Sequence, residues 1–169
     1  LGRYMLSKPV VLIGPMGVGK TTIGKKLARR LDIEFVDTDV LITNQHGEIP
    51  LIFETSGESK FREFEEQALA QALSKVQVIA TGGGAVLSGT NQRKLENATV
   101  IYLSTSGLHM KSRLANGNRP LLKNGFSDWK DIYESRKPLY ERLATFEIDT
   151  SAAGLGATLD LICEKLEQL

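Results

Sequence analysis

The sequence predicts an α/β fold in which a parallel β-sheet carries helices on both faces. Three observations predict it. Short apolar runs alternate with stretches of helical periodicity along the chain. Several of those runs stop at glycine or aspartate, as a strand does where it hands over to a loop. The length, 169 residues, suits one domain that buries roughly 70% of its unfolded surface and needs no disulfide or metal to staple it.

Val10–Ile13 reads as the first strand, ending at Gly14. Lys20–Leu31 then places Ile23, Leu27, Ala28 and Leu31 on one face, the spacing of a helix. Residues 34–36 read as a second strand ending at Asp37, and residues 58–74, rich in Glu, Ala, Gln and Leu, as a long helix. A third strand at 76–80 is stopped by Gly82-Gly83-Gly84, and a fourth spans 99–103. A helix is expected from about 106 to 114, then a polar loop, 115–125, holding Gly117, Pro120 and Gly125. Residues 127–144 return to helix, with Ser127 as N-cap and Asp128 in the first turn. Phe146–Asp149 is the last strand, and a closing helix carries Leu155, Leu159, Ile162, Leu166 and Leu169 at alternating four- and three-residue steps.

No repeat, low-complexity tract or linker divides this pattern, so residues 1–169 are read as a single domain. In such sheets ligands gather outside the carboxyl ends of the strands. Residues 14–21, 37–39 and 81–84 all follow strand ends and should meet in one crevice.

Composition narrows the partners. A net charge of +1 leaves no electrostatic footprint for nucleic acid or an anionic membrane, so an anionic ligand must be held by local positive charge. No apolar run approaches membrane-spanning length, and residues 1–7 lack the apolar core of a signal peptide. The single cysteine, Cys163, permits no intramolecular disulfide and points to a reducing, cytoplasmic setting; beside Leu161 and Ile162 it reads as a small buried apolar residue. His46 and His109 have no His or Cys at ligand spacing, so no metal site built from protein side chains is expected.

Gly14-Pro15-Met16-Gly17-Val18-Gly19-Lys20-Thr21 fits the phosphate-binding pattern G-x-x-x-x-G-K-[ST], between a strand and a helix as that pattern requires. Glycines let the backbone wrap a phosphate while N–H groups of the loop and helix N-terminus face the anion. Gly17, Val18, Gly19, Lys20, Thr21 and Thr22 are therefore the expected nucleotide contacts. Lys20 supplies a point charge to the β- and γ-phosphates, and the Thr21 hydroxyl binds Mg²⁺. The alternative is a glycine-rich turn with an incidental lysine. No N-K-x-D is present to read guanine, so ATP·Mg²⁺ and a small-molecule kinase are the reading.

Asp37-Thr38-Asp39, Phe61-Arg62, Gly82-Gly83-Gly84, Arg119-Pro120-Leu121-Leu122 and Arg136-Lys137-Pro138-Leu139-Tyr140 follow one another in that order. In this order and spacing the chain resembles the shikimate kinases from Gly14 to Tyr140. The resemblance implies transfer of a phosphoryl group from ATP to the 3-hydroxyl of shikimate, and a five-stranded core of order 2-3-1-4-5 with a lid near 115–125. It implies Asp37 ordering Mg²⁺ through water, with Lys20, Asp39 and Arg119 catalytic. It also implies shikimate held by Asp39, Arg62, Gly82, Gly83, Gly84 and Arg136, Arg113 against adenine, and Arg119 as the lid cation on ATP. A monomer is expected.

The residues make chemical sense on their own, with alternatives. Asp37 and Asp39, two apart, point the same way if the backbone stays extended; one can order Mg²⁺ and the other take a proton from an attacking alcohol. Otherwise they form a turn, with Asp39 capping a segment that begins at Val40. Arginine forks at 62 and 136 suit a carboxylate, though either could be a solvated surface residue. Gly82–Gly84 allows close approach of backbone to a substrate, or is a plain turn.

Two stretches depart from the family pattern. Residues 151–154, Ser-Ala-Ala-Gly, are small and uncharged where relatives often place arginine or proline against adenine, and residues 123–125 have no assigned role. A gluconate kinase is the nearest alternative, but its D-x-D is typically followed by a histidine-containing stretch and here Val40-Leu41-Ile42 follows. Nucleoside monophosphate kinases carry a different arginine pattern, and an ATP-sensing module needs neither an acceptor-side base nor a lid cation.

Overall fold

The computed structural model describes residues 6–108, 110–114 and 120–169. Its strands β1 (Val10–Ile13), β2 (Phe35–Asp37), β3 (Val78–Ala80), β4 (Thr99–Ser104) and β5 (Phe146–Asp149) form one parallel sheet in the order β2-β3-β1-β4-β5. This is the order the resemblance implied. Strands β1 and β4 are buried at every position, since a central strand of a parallel sheet is covered on both faces.

The helices are α1 (Lys20–Leu31), α2 (Thr38–His46), α3 (Ile49–Ala72), α4 (Gly89–Leu95), α5 (Met110–Leu114), α6 (Phe126–Leu143) and α7 (Leu155–Glu167), with a 3₁₀ turn at Ala85–Leu87. Alternation along the strands divides the core. Val10, Leu12, Val78, Ile101 and Leu103 pack against Ile23 and Leu27 of α1 and Leu159, Ile162 and Leu166 of α7. Val11, Ile13, Ile79, Val100 and Tyr102 face the other way, against Leu69 of α3 and Trp129, Tyr133 and Tyr140 of α6. Because every pairing is parallel, all the strand-to-helix transitions at the carboxyl ends lie at the same end of the sheet.

Several boundaries differ from the sequence reading, each for a physical reason. Helix α2 was not expected, because its apolar residues Val40, Leu41 and Ile42 are contiguous instead of helically spaced, and of these only Ile42 is fully buried. Helix α3 begins well before residue 58. Pro50 is tolerated in its first turn, where its missing N–H has no intrahelical partner to lose. Gly57 then interrupts it with φ 84° and ψ 169°, and helix resumes beyond. Ser127 is not the N-cap of α6; Gly125 precedes the first helical residue, and the Asp128 carboxylate instead accepts from the Asn124 N–H at 2.8 Å. Of the helix expected over 106–114, the described part is α5, and His109 lies outside the described residues.

Candidate active site

The loop after β1 leaves the sheet through Gly14 at φ +148°, where an added Cβ would sit 2.5 Å from the Leu103 carbonyl oxygen. Only glycine fits there. The loop turns into α1 through Gly19, also at positive φ. The Lys20 ammonium, largely buried, donates to the carbonyls of Gly14 at 2.6 Å and Pro15 at 2.9 Å. It thus lies folded within the loop whose phosphate it would meet.

Asp37 ends β2 and joins two features. One carboxylate oxygen accepts from the Asp39 N–H at 2.9 Å and caps α2; the other accepts from the Thr21 hydroxyl at 2.6 Å. Asp37, not Asp39, is therefore the cap. The backbone turns helical at Thr38, so the pair is not related by strand alternation. Thr21 and Asp37 together offer adjacent hard oxygens, a donor set suited to Mg²⁺ completed by phosphate and water. Among the described residues no cluster of three His, Cys, Asp or Glu could hold a metal without such help.

Beyond Gly57, α3 carries Phe61, Arg62 and Glu65 into the cleft. Arg62 donates to Glu65 at 2.9 Å, and Glu65 is only 1% exposed. Burial pushes its carboxyl up to about 7, against the opposing pull of the Arg62 guanidinium. Among the described residues the Arg62 Nε and the Glu65 Oε2 are buried without a hydrogen-bond partner. A buried guanidinium N–H left unsatisfied is costly, and a ligand oxygen would relieve it.

Residues 82–84 form the floor. A Cβ on Gly82 would lie 3.0 Å from Glu65 Oε2 and 3.1 Å from Asp39 Oδ1; one on Gly83 would lie 3.4 Å from Arg136 Nη1; one on Gly84 would overlap the Arg62 guanidinium. None of the three has positive φ. Space, not backbone dihedral, calls for glycine here. Helix α6 completes the wall with Arg136, 6% exposed, and with Tyr140, whose hydroxyl donates to the Gly83 carbonyl at 2.6 Å.

Two cavities result. One, about 150 Å³, is lined by Asp39, Arg62, Glu65 and Arg136 with an apolar wall of Ile49, Phe53, Phe61 and Leu121. The other, about 240 Å³, is lined by Gly17, Gly19, Lys20, Thr21, Thr22 and Asp37. Met16, Asp39, Gly82 and Gly83 line both. Residues 14–21, 37–39 and 81–84 thus share one crevice, as the strand ends suggested.

Three expected residues stand apart. The Val18 side chain is buried in the core with Ile23 and Leu27, leaving only its backbone to the loop. Arg113 donates to the Gly17 carbonyl at 3.1 Å. Arg119 lies outside the described residues, although Pro120 and Leu121 reach the smaller cavity. Sequence reasoning missed Glu65, whose signal was its place one turn after Arg62 on a helical face. It also missed Ile49 and Phe53, which lie in the unexpected start of α3 and gave no signal.

The family model for shikimate kinase matches residues 16–167. A shikimate kinase of Rhodococcus erythropolis is 41% identical over 162 residues, 93% of this chain and 96% of the relative. One of Thiobacillus denitrificans is 41% identical over 165 residues, 94% and 90% of the two chains. Among solved structures, the shikimate kinase of Acinetobacter baumannii in complex with shikimate superposes with a TM-score of 0.88 at 35% identity, covering 95% of this chain and 93% of that one. A gluconokinase from Sinorhizobium meliloti, TM-score 0.63 at 15% identity, shares the fold alone. With a family match across nearly its whole length and relatives near 40% identity over more than nine-tenths of it, the chain belongs to the shikimate kinase family.

Proposed function

We propose that the γ-phosphoryl group of ATP passes to the 3-hydroxyl of shikimate where the two cavities meet, by the residues described above. The observation that carries this is the shared lining: Met16, Asp39, Gly82 and Gly83 belong to both cavities, so a phosphate chain in the larger and an alcohol in the smaller are neighbours. Phosphoryl transfer needs little beyond such positioning and neutralisation of charge.

Arg62 and Arg136 hold the shikimate carboxylate, a reading supported by their convergence on one small cavity and by the unsatisfied Arg62 Nε. The solved relative from Acinetobacter baumannii holds shikimate. Ile49, Phe53 and Phe61 take the apolar side of the ring. As the 3-hydroxyl oxygen bonds to the γ-phosphorus, Asp39 accepts its proton, and the bond from phosphorus to the bridging oxygen of ADP breaks. Lys20 exchanges the Gly14 and Pro15 carbonyls for phosphate oxygens. Thr21 holds Mg²⁺ directly and Asp37 through water; the ion, when bound, neutralises phosphate charge. Arg113 is assigned to adenine and Arg119, within a lid at 115–125, to the transferring group. Residues 1–169 are read as one domain, acting as a cytoplasmic monomer; the single cysteine supports that compartment.

A coupled assay of ADP release with shikimate, gluconate, AMP or no acceptor tests the assignment. Turnover is expected with shikimate alone. Turnover with AMP and none with shikimate would overturn it.

A further inference from the structure

One face of α6 reaches both halves of the cleft. Trp129, Tyr133, Arg136 and Tyr140 recur at steps of four, three and four residues, and all four are buried. Arg136 and Tyr140 serve the acceptor side. At the other end the Trp129 indole N–H donates to the Met16 carbonyl at 2.7 Å. The ring is held in place by Phe126 and Tyr133, with centroids 5.6 and 5.3 Å away, and by the backbone at Gly107, where an added Cβ would lie 3.3 Å from it. The direction of the N–H is therefore fixed.

We infer that Trp129 is a positioning residue for nucleotide phosphate, acting through the peptide between Met16 and Gly17. That peptide is trans and planar, so holding its carbonyl toward Trp129 sends the Gly17 N–H the opposite way. Gly17 lines the nucleotide cavity. With φ +79° and no Cβ, Gly17 does little by itself to stop this peptide from rotating. An outside donor supplies the restraint that the glycine gives up. Arg113 holds the next carbonyl, that of Gly17, in the same manner. The restraint matters because an N–H prepaid into position binds an anion without the cost of ordering it.

This inference rests on the proposed nucleotide site, and its test needs only ADP. Trp129→Phe leaves an aromatic ring at the position and deletes the donor. The Kd for ADP and the KM for ATP should rise about five- to twentyfold, the range for one well-placed hydrogen bond, while the KM for shikimate moves less than about twofold. Unchanged ADP affinity, or equal rises for both substrates, would overturn the inference. Because Trp129 is the only tryptophan, its indole N–H gives a single resonance in the unaltered chain. Linkage is reciprocal, so saturating ADP should slow solvent exchange of that N–H several-fold. Exchange that is unchanged or faster counts against the inference even where the variant fails to fold. A chain that binds ADP but leaves shikimate untouched would sink the proposed reaction and still decide this question.

Discussion

On the nucleotide side, about half of the cavity lining comes from one stretch, residues 16–22, which offers its backbone together with the Lys20 and Thr21 side chains. On the acceptor side, four separate segments send in Asp39, Arg62 with Glu65, the triplet 82–84, and Arg136. The first kind of site depends on local conformation, set by Gly14, Gly17 and Gly19 at positive φ. The second depends on tertiary packing of charged side chains against one another, with the Arg62 Nε and the Glu65 Oε2 buried without a partner among the described residues. Side-chain changes should therefore be felt most sharply, and most selectively, on the acceptor side.

The hardest test of that contrast is Asp39→Asn, at the seam between the two cavities. It should lower kcat by about 10²- to 10⁴-fold, the usual contribution of a general base, while ADP affinity by titration stays within about threefold. Near-normal turnover would remove Asp39 from proton transfer. Next comes Arg136→Ala, which removes one buried cation from the acceptor wall. Steady-state kinetics should show the KM for shikimate rising roughly 100-fold with little change for ATP. Arg136→Lys should rescue it poorly, because an ammonium cannot offer the two-pronged fork. Equal effects on both substrates would mean the arginine merely supports the fold.

The smallest effect concerns Glu65. Its carboxyl, held by burial at about 7 in place of the ordinary 4.5, is divided between charged and neutral forms near neutrality. A substrate carboxylate arriving at Arg62 and Arg136 would oppose its negative charge and raise it further. Binding should thus take up a fraction of a proton around pH 7 to 8, seen by calorimetry as an enthalpy that varies with buffer ionisation heat. Glu65→Gln should abolish the dependence; a buffer-independent enthalpy in the unaltered chain would contradict it. The same upward shift means that Glu65 favours the folded chain below about 4.5, and that this contribution is lost as pH climbs through 7.

The parallel sheet was legible because β1 is apolar throughout and β4 is apolar between Thr99 and Ser104, and the phosphate loop because its residues are adjacent in the chain. The details that escaped are those set by space between distant segments. Glycine at 84 reads as room for a ligand, yet the group it admits is the guanidinium of Arg62, and Gly82 likewise admits Glu65 and Asp39. Capping and metal ordering read as rival roles for the aspartates, yet Asp37 caps α2 with one oxygen while the other meets Thr21. Helix α2 and the start of α3 lack amphipathic spacing, so Phe53 and Ile49 could not be placed against the cleft. Nothing local to Trp129 in the sequence names Met16 as its partner.

Gly57 carries a consequence of its own. Its φ and ψ fall where side-chain-bearing residues hardly go. The segment before it bears Ile49 and Phe53 and the segment after it Phe61, Arg62 and Glu65; Phe53 and Phe61 meet with ring centroids 4.9 Å apart, and all five residues line the smaller cavity. The bend at a single glycine thereby sets the angle at which two stretches of one helix close on the same space. Acceptor size can be retuned in evolution or by design at a position remote from the reacting atoms, with each stretch left intact.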